Sequence, residues 1–528
     1  MPQELTYPGV YIEEVPSGVR TITGVATSIT AFIGRTSRGP VEQPVLVTSY
    51  GEYERRFGRL HGAHPGLGDD APLTYAVRDF YANGGRRALI VRLVNGGAGA
   101  TWDVQDGGDT KLGLVAANAG SWANELRIAI DHKTREPSDT TLFNLTVFRS
   151  DPQVPGVRTE YERHINLSVE DTDPRYVVRV LEQASDLVRV RDDGGGPIVA
   201  SERPPEVETA AASAGSDSGA LGPSDYTGGS TEDKTGIYAL EKADIFNLLV
   251  IPPDERDGST DPSVYGDAAT YCFQRRAMLI VDPPDAWTAN PNSAADDASG
   301  GTELGTIGGL VRRNAAVYFP RLRDADPLRG NAVETFTPSG AVAGVIARTD
   351  ATRGVWKAPA GLEAGVTGIR GLNVPLTDGD SGKLNPVAIN ALRTFRDAGT
   401  VVWGARTMAG RDALADEYKY VPVRRLALYI EESLFRGTQW VVFEPNDEPL
   451  WAQIRLNVGT FMHNLFRQGA FQGTSPREAY MVKCDAETTT QADRDLGVVN
   501  IVVGFAPLKP AEFVVIKIQQ LARQAATG

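Results

Sequence analysis

The residue types most able to do chemistry in this chain are its five histidines. His61 and His64 form the sequence HGAH, whose spacing could supply two metal ligands. No third ligand is evident, and the neighbouring glycines and proline favour a loop. The remaining histidines stand singly in predicted strands or a helix, where structural roles are usual: His132, His164 and His463.

The two cysteines, Cys272 and Cys484, are too few for a disulfide framework or a cysteine-rich zinc site. Cys272 stands beside Tyr271 and Phe273 on a predicted helix, and Cys484 alternates with Val482 on a predicted strand, so both are predicted to pack in the interior. This cysteine usage fits a reducing compartment, or an assembly that needs no covalent links.

No catalytic pattern stands out. Three adjacent acidic pairs lack the converging geometry that acid–base catalysis requires: Asp69–Asp70, Glu13–Glu14 and Glu431–Glu432. The chain has no H-E-x-x-H, G-x-S-x-G or P-loop sequence, and GTELGTIGGL (301–310) does not match G-x-G-x-x-G. We therefore predict a protein that is not an enzyme, with no catalytic residues, cofactor or metal. The alternative is an α/β nucleotide-binding enzyme, which the glycines at 83–85 and 301–310 would support.

Composition excludes further classes. The 528 residues carry 53 basic and 67 acidic side chains, a net charge of −14, which does not suit general binding to nucleic acid or to anionic membranes. No apolar run is long enough to span a bilayer, and MPQELTYPGVYIEEV lacks the features of a signal peptide. We expect a protein that is cytoplasmic in the producing cell or part of a released particle, with no nucleic-acid partner and no membrane insertion.

Strands and helices alternate through 22–95 and again through 237–410, which predicts a layered α/β core. The predicted strands, which can share one sheet, are 28–34, 88–94, 245–252, 278–284, 314–322 and 400–408. The predicted helices between them are 49–58, 72–85, 263–277, 338–354 and 384–399. The fold class is therefore multidomain α/β (α+β).

The stretch 96–236 interrupts this alternation of strands and helices and is predicted to be an inserted, β-rich surface domain. Alternating apolar and polar residues predict strands at 127–133, 142–150 and 161–169, followed by a helix at 174–190. Its last part, about 192–236, is rich in Ala, Gly, Ser and acidic residues and is predicted to be a flexible acidic loop.

The two ends of the chain differ again. Residues 1–21 are broken by three prolines and are predicted to form an extended arm, the alternative being a frayed terminus. The C-terminal domain, 411–528, is predicted to contain helices 421–437 and 448–471 and strands 480–485, 496–507 and 512–520.

Both ends carry a resemblance to a known family. YPGVYIEEVPSGVRTITGVATSITAFIGRTSRGP (7–40) resembles the opening of contractile tail sheath proteins, which occur in phages and in phage-tail-like injection systems. RLNVGTFMHNLFRQGAFQGTSPREAYMVKCDAETTTQADRDLGVVNIVVGFAPLKPAEFVVIKIQQ (455–520) is similar to the end of the same family. The ordered occurrence of both runs is more specific than either alone.

The resemblance implies a structural subunit that polymerises as stacked six-membered rings around an inner tube. The sheath then contracts and drives the tube through a target envelope. The implied partners are the chain itself, the inner tube protein, and the baseplate and terminal cap proteins. The family's chain ends complete β-sheets in neighbouring subunits, here through Tyr7, Val10, Tyr11, Ile12, Val15, Phe513, Val514, Val515, Ile516 and Ile518. Hinges at 16–24 and 506–511 are expected to let subunits swing.

A polar face of the helix at 448–469 is the candidate contact with the inner tube, because a sheath must release its tube. The residues predicted to lie away from the apolar stripe are Arg455, Asn457, His463, Asn464 and Arg467. The alternative for this helix is a solvated face without a partner. The alternative for the whole chain is a non-contractile filament or surface protein, which would lack a tube. The single chain argues against two-chain sheaths of the type VI secretion kind, and phage and injection system both remain open.

Overall fold

The computed structural model describes residues 20–58, 71–150, 157–290, 292–301 and 303–517. The chain forms two compact units. We call Met1–Val25, Arg353–Ala358 and Tyr420–Gly528 the terminal unit. We call Ala26–Thr352 and Pro359–Lys419 the central unit.

The described residues form strands and helices that are numbered here in chain order. The strands are β1 (Thr30–Gly34), β2 (Val45–Val47), β3 (Ala88–Arg92), β4 (Thr101–Asp106), β5 (Asp109–Ala116), β6 (Leu126–Asp131), β7 (Leu142–Ser150), β8 (Arg158–Ser168), β9 (Val188–Val190), β10 (Val207–Ala211), β11 (Leu248–Val250), β12 (Met278–Val281), β13 (Ala315–Phe319), β14 (Leu322–Asp326), β15 (Ala332–Phe336), β16 (Gly371–Leu372), β17 (Ile389–Phe395), β18 (Gly399–Val402), β19 (Tyr480–Lys483) and β20 (Val502–Phe505). The helices are α1 (Tyr50–Phe57), α2 (Pro72–Ala82), α3 (Val177–Ala184), α4 (Pro223–Thr227), α5 (Pro262–Gln274), α6 (Ala294–Gly300), α7 (Ser339–Arg353), α8 (Asp378–Leu384), α9 (Val421–Gly437), α10 (Glu448–Arg467), α11 (Pro476–Ala479) and α12 (Gln491–Asp495). No helix of the described residues combines the length and hydropathy needed to cross a membrane.

The central unit is built on an eight-stranded sheet in the order β18-β17-β13-β12-β11-β1-β3-β2. Its six inner strands are parallel, and the edge strands β2 and β18 pair antiparallel with their neighbours. The short apolar runs of β1, β3 and β13 are buried at every residue, as is usual for parallel strands covered on both faces. The shared sheet that the alternating pattern predicted is thus confirmed, as is the α/β class.

One helix prediction in this unit is wrong. The segment 384–399 contains a single 3-10 turn at Asn385–Val387, and the chain then forms β17. β17 pairs with β13 on one side and with β18 on the other. Its apolar residues fit a helical spacing, but a run this short also fits a strand, and sheet pairing decided the outcome. The strand predicted at 400–408 ends at Val402.

Helix α7 crosses α2 at very close range. A Cβ on Gly340 would lie 2.1 Å from the main-chain oxygen of Ala76, and one on Gly344 would lie 2.4 Å from that of Phe80. Both distances are far below van der Waals contact, so these two positions admit only glycine at this crossing.

The region 96–236 has two antiparallel sheets, β10-β6-β7-β8 and β4-β5-β9. They enclose a core of their own that includes Trp102, Leu114, Ile128, Leu145 and Leu181. The predicted helix at 174–190 is shorter, because the chain leaves α3 at Ala184 and pairs with β5 as strand β9.

The acidic loop predicted at 192–236 also needs correction. It contains β10, which pairs with β6, and the short helix α4. Its acidic residue Asp217 accepts hydrogen bonds from the main-chain N–H and the hydroxyl of Ser121, both at 2.7 Å. This segment is therefore part of the fold, because it pairs with β6 and hydrogen-bonds to Ser121, neither of which the composition revealed.

The terminal unit combines the helices α9 and α10 with the hairpin β19–β20. The predicted helices at 421–437 and 448–471 are confirmed, the second one ending at Arg467. Its core joins α9 and α10 through residues such as Leu426, Ile430, Trp451, Ile454, Phe461 and Met462. The strand predicted at 480–485 is confirmed, and the one at 496–507 is confined to β20.

Candidate assembly surface

The hairpin β19–β20 is a sheet of only two strands within the described residues. Ala506 N–H donates a hydrogen bond to the main-chain oxygen of Ala479, so these two residues form a hydrogen-bonded pair. The next pair along the hairpin, Tyr480 and Phe505, is therefore a non-hydrogen-bonded pair. Alternation along the hairpin then directs main-chain groups away from the partner strand at every second residue. The outward-directed groups belong to Tyr480 and Val482 on one edge and to Val503 and Phe505 on the other.

The hairpin has one packed and one exposed face. The side chains of Tyr480, Val482, Val503 and Phe505 pack against the core of the terminal unit. Met481 and Val502, whose side chains alternate with these, are exposed. A short sheet with two open edges, and with Met481 and Val502 exposed on its outer face, is a site where further strands can add.

The C-terminal segment after Pro507 has no regular secondary structure up to Lys517. The strand predicted at 512–520 is therefore not formed by residues 512–517, which pair with no strand of the described chain. Four predicted exchange residues are instead 75–83% exposed: Phe513, Val514, Val515 and Ile516. Ile518 lies outside the described residues.

The N-terminal exchange residues Tyr7, Val10, Tyr11, Ile12 and Val15 also lie outside the described residues. The description begins at Arg20, whose guanidinium stacks 4.6 Å from the ring centroid of Trp440.

Residues 20–25, which we call the arm root, are fixed to the terminal unit. Arg20 N–H donates to Asn457 Oδ1 at 3.1 Å, and Val25 N–H donates to Ser433 Oγ at 3.2 Å. Between them, Ile22 is buried in the core of the unit. Of the described part of the predicted hinge 16–24, Ile22 is buried and Arg20 is hydrogen-bonded, whereas Thr21, Thr23 and Gly24 are exposed, so the hinge stays a prediction.

Exposed apolar side chains concentrate in the terminal unit. It supplies thirteen of the twenty-three large hydrophobic side chains that are exposed in the described residues, although it contains less than a third of those residues. Isolated exposed hydrophobic residues are normal, whereas a concentration in one unit marks a contact surface.

The predicted tube-contact residues on α10 fall into three groups. Asn457 is buried, so its prediction as a surface residue is wrong: it faces the arm root instead of solvent. Arg455 pairs with Glu448 and donates to the main-chain oxygen of Cys484, and His463 is half-buried against Tyr480. Asn464 and Arg467 are exposed, on the same stripe as Leu456 and Thr460.

The described cysteine and histidine side chains that could react or bind a metal are engaged in packing and local contacts. Both cysteines are free and buried; burial raises the pKa of both thiols, that of Cys484 to about 11. Such thiols are neutral and unreactive near neutral pH. His164 contacts Glu162 at 3.2 Å, and His132 contacts the main-chain oxygen of Pro204.

Within the described ranges no group of three or more His, Cys, Asp or Glu residues is arranged to hold a metal ion. His61 and His64 lie outside those ranges.

Two family models match the chain. The phage tail sheath protein central domain matches residues 219–408, and the phage tail sheath C-terminal domain matches residues 415–520, together more than half of the chain. The chain belongs to the phage tail sheath family. The predicted family is thereby confirmed, and the C-terminal run 455–520 lies within the second match. Proteins of this family are structural parts of phage tails and tail-like particles.

A curated relative is the tail sheath protein of Vibrio phage KVP40. It is 27% identical over 128 residues, which is 24% of this chain and 19% of that protein, so the match spans about a fifth of the relative's length.

Solved sheath structures share the fold of this family member. The helical sheath of the anti-feeding prophage in its contracted state is 22% identical, with 98% of this chain and 99% of that chain covered and a TM-score of 0.57. The PVC sheath complex of an extracellular contractile injection system, also contracted, has the same identity and coverage and a TM-score of 0.56. A sheath tail protein from Listeria innocua is 14% identical, with 92% and 96% covered and a TM-score of 0.59.

Proposed function

We propose that this chain is the structural subunit of a contractile sheath. It polymerises as stacked six-membered rings around an inner tube, and contraction drives the tube through a target envelope. The observation that carries the proposal is the two-stranded hairpin with open edges beside an apolar C-terminal segment that nothing in its own described chain covers. The role is mechanical and needs no catalytic residue, metal or cofactor.

Strand exchange joins the subunits in this proposal. The donated strands come from the arm, through Tyr7, Val10, Tyr11, Ile12 and Val15, and from the segment Phe513–Ile518. Burying four side chains of the size found at 513–516 contributes roughly 6–12 kcal/mol before the costs of association are subtracted. Head-to-tail contacts of this kind build rings where the rotation between subunits closes and helical filaments where it does not.

Contraction requires that subunits move while remaining joined. Links made by extended chain ends allow rotation, because only the hairpin and the donated strands must keep their pairing. The arm root gives each link a fixed starting point on the terminal unit.

The inner tube protein is the second partner, and the exposed stripe of α10 that ends at Asn464 and Arg467 is the candidate contact. A polar contact with one exposed cation can hold the tube yet release it during contraction. Baseplate and terminal cap proteins would engage the ends of the polymer. Assembly would take place in the cytoplasm of the producing bacterium, before the particle is completed.

The test is negative-stain electron microscopy of the full chain, expressed alone and together with its tube protein. We expect hollow helical tubes, and an inner tube retained in the second sample. A variant lacking residues 1–19 keeps the arm root and should stay folded but fail to polymerise. Normal polymers from this variant would contradict arm exchange, and globular particles under all conditions would contradict the sheath role. Filaments that ignore the tube protein would favour the non-contractile alternative.

A further inference from the structure

The loop between α9 and α10 carries a phenylalanine that is held out in solvent. Phe443 is fully exposed, and the preceding Val442 is 64% exposed. The backbone of Phe443 has φ +69°, in the left-handed region that bulky residues rarely adopt. A strained, exposed aromatic residue at a loop tip is unfavourable in the isolated subunit, which points to a use in contact with another molecule.

Hydrogen bonds anchor the loop on both sides of this tip. Glu444 N–H donates to the main-chain oxygen of Val441 at 3.1 Å, which closes a turn across Phe443. Asn446 accepts from Trp451 Nε1 and donates to the main-chain oxygen of Val498, both at 2.9 Å. Because Trp451 is buried, these bonds fix the loop to the core and keep the tip from folding back.

A second exposed apolar element lies beside the tip. The bond from Asn446 joins this loop to the segment that carries Leu496 and Val498, of which Leu496 is 79% exposed. We call Val442, Phe443, Leu496 and Val498 the 443 patch. This segment continues into β20 at Val502, so the patch adjoins the hairpin that strand exchange would extend.

Charge and length favour one occupant of the 443 patch. Glu444 and Asp495 are exposed around it, and a third exposed acid, Asp447, lies 4.0 Å from Arg494. The C-terminal segment 509–517 carries the exposed apolar run 513–516 and two exposed lysines, Lys509 and Lys517, while Glu512 accepts a hydrogen bond from the Tyr420 hydroxyl of its own chain. Extended, these nine residues reach about 30 Å, whereas the four residues of β20 span about 13 Å, so a donated segment extends well beyond the hairpin.

We propose that the 443 patch receives segment 509–517 of a second copy of this chain. Phe443 and Leu496 contact the apolar side chains of that segment, and the acidic surroundings attract its lysines. The inference rests on the proposed sheath function and adds to it the place where the end of the donated segment lies.

Disulfide trapping tests the contact directly. Both native cysteines are buried, so a cysteine pair introduced by Phe443→Cys and Val515→Cys is selectively oxidisable. We expect the variant to assemble under reducing conditions and to give a covalent ladder of multimers after mild oxidation. The matched control, Leu456→Cys with Val515→Cys, places the first cysteine on an exposed position of α10 in the same unit and should give no ladder.

Assembly without a ladder from the 443–515 pair, or an equal ladder from the control pair, would overturn the inference while leaving the sheath function intact. No assembly of the wild-type chain would instead contradict the proposed function itself.

A second measurement avoids engineered cysteines. Phe443→Ser should raise the critical concentration for polymerisation by roughly 10- to 100-fold, the effect of losing one buried aromatic contact, with the melting temperature unchanged. Leu456→Ser should leave the critical concentration unaltered. A critical concentration that Phe443→Ser does not change, or a defect confined to retention of the inner tube, would refute a subunit contact at this patch.

Discussion

Ile22 holds the arm root on the terminal unit, so its truncation to alanine should loosen the base of the arm without touching the arm itself. Ile22 is only 6% exposed, and it packs so closely on α9 that a Cβ on Gly437 would lie 2.5 Å from its Cγ2 atom. Replacing a buried isoleucine by alanine costs about 2–5 kcal/mol. A chain end can adjust more easily than a core, so we expect the low end, about 2 kcal/mol, which corresponds to roughly a 30-fold change in the opening equilibrium.

Hydrogen exchange measures the opening equilibrium of the arm root at two amides. Arg20 N–H and Val25 N–H are bonded to Asn457 and Ser433, at the two ends of the arm root. In Ile22→Ala both amides should lose protection by roughly the same 30-fold factor, because the segment detaches as one unit. Thr23→Ala, at an exposed neighbouring position, is the control and should leave protection unchanged. Equal protection in Ile22→Ala and wild type would refute the idea that this side chain fixes the arm root.

Three further predictions concern stability and tube binding. Gly340→Ala should destabilise the chain in urea unfolding by about 2–3 kcal/mol, since its Cβ would meet a main-chain oxygen of α2. Gly382→Ala, on α8 where a Cβ meets nothing within 4 Å, should be neutral or stabilising by up to about 1 kcal/mol, and a similar loss for both would contradict the close crossing. Burial raises the pKa of Asp282 to about 6, so the folded state favours the protonated carboxyl and the free energy of unfolding falls as pH rises through that value. Asparagine does not ionise, so the stability of Asp282→Asn relative to wild type should increase in melting curves from about pH 4 to 7. A stability difference that stays constant with pH would argue against this. Arg467→Glu should abolish co-purification of the tube protein while polymers still form, and normal co-purification would remove α10 as the tube contact.

The buried elements of this chain were predictable because their patterns are local. Short apolar runs identified β1, β3 and β12, the first ended by glycine and the last by proline, and the long apolar stripe identified α10. The segment 384–399 failed because seven residues of mixed apolar character fit a helix or a strand, and only pairing with β13 and β18 selected the strand.

The candidate assembly surface was predicted only in part. The apolar character of 513–516 was visible in the sequence, and the structure shows these residues exposed and unpaired with any described strand. Asn457 was placed on the surface because it was predicted to lie away from the apolar stripe of the helix, but the arm root covers it. Phe443 was missed, since an aromatic residue in an apolar run reads as core, and only its backbone conformation directs it outward.

By itself the sequence determined the α/β class, the family, and the apolar character of the segment after Pro507, because composition, periodicity and ordered motifs are properties of neighbouring residues. Tertiary structure alone decided the two open edges of the hairpin, the anchoring of the arm root, and the exposure of the 443 patch. These features depend on which distant segments meet, such as Arg20 with Asn457 or Asn446 with Val498, and no local pattern encodes such contacts.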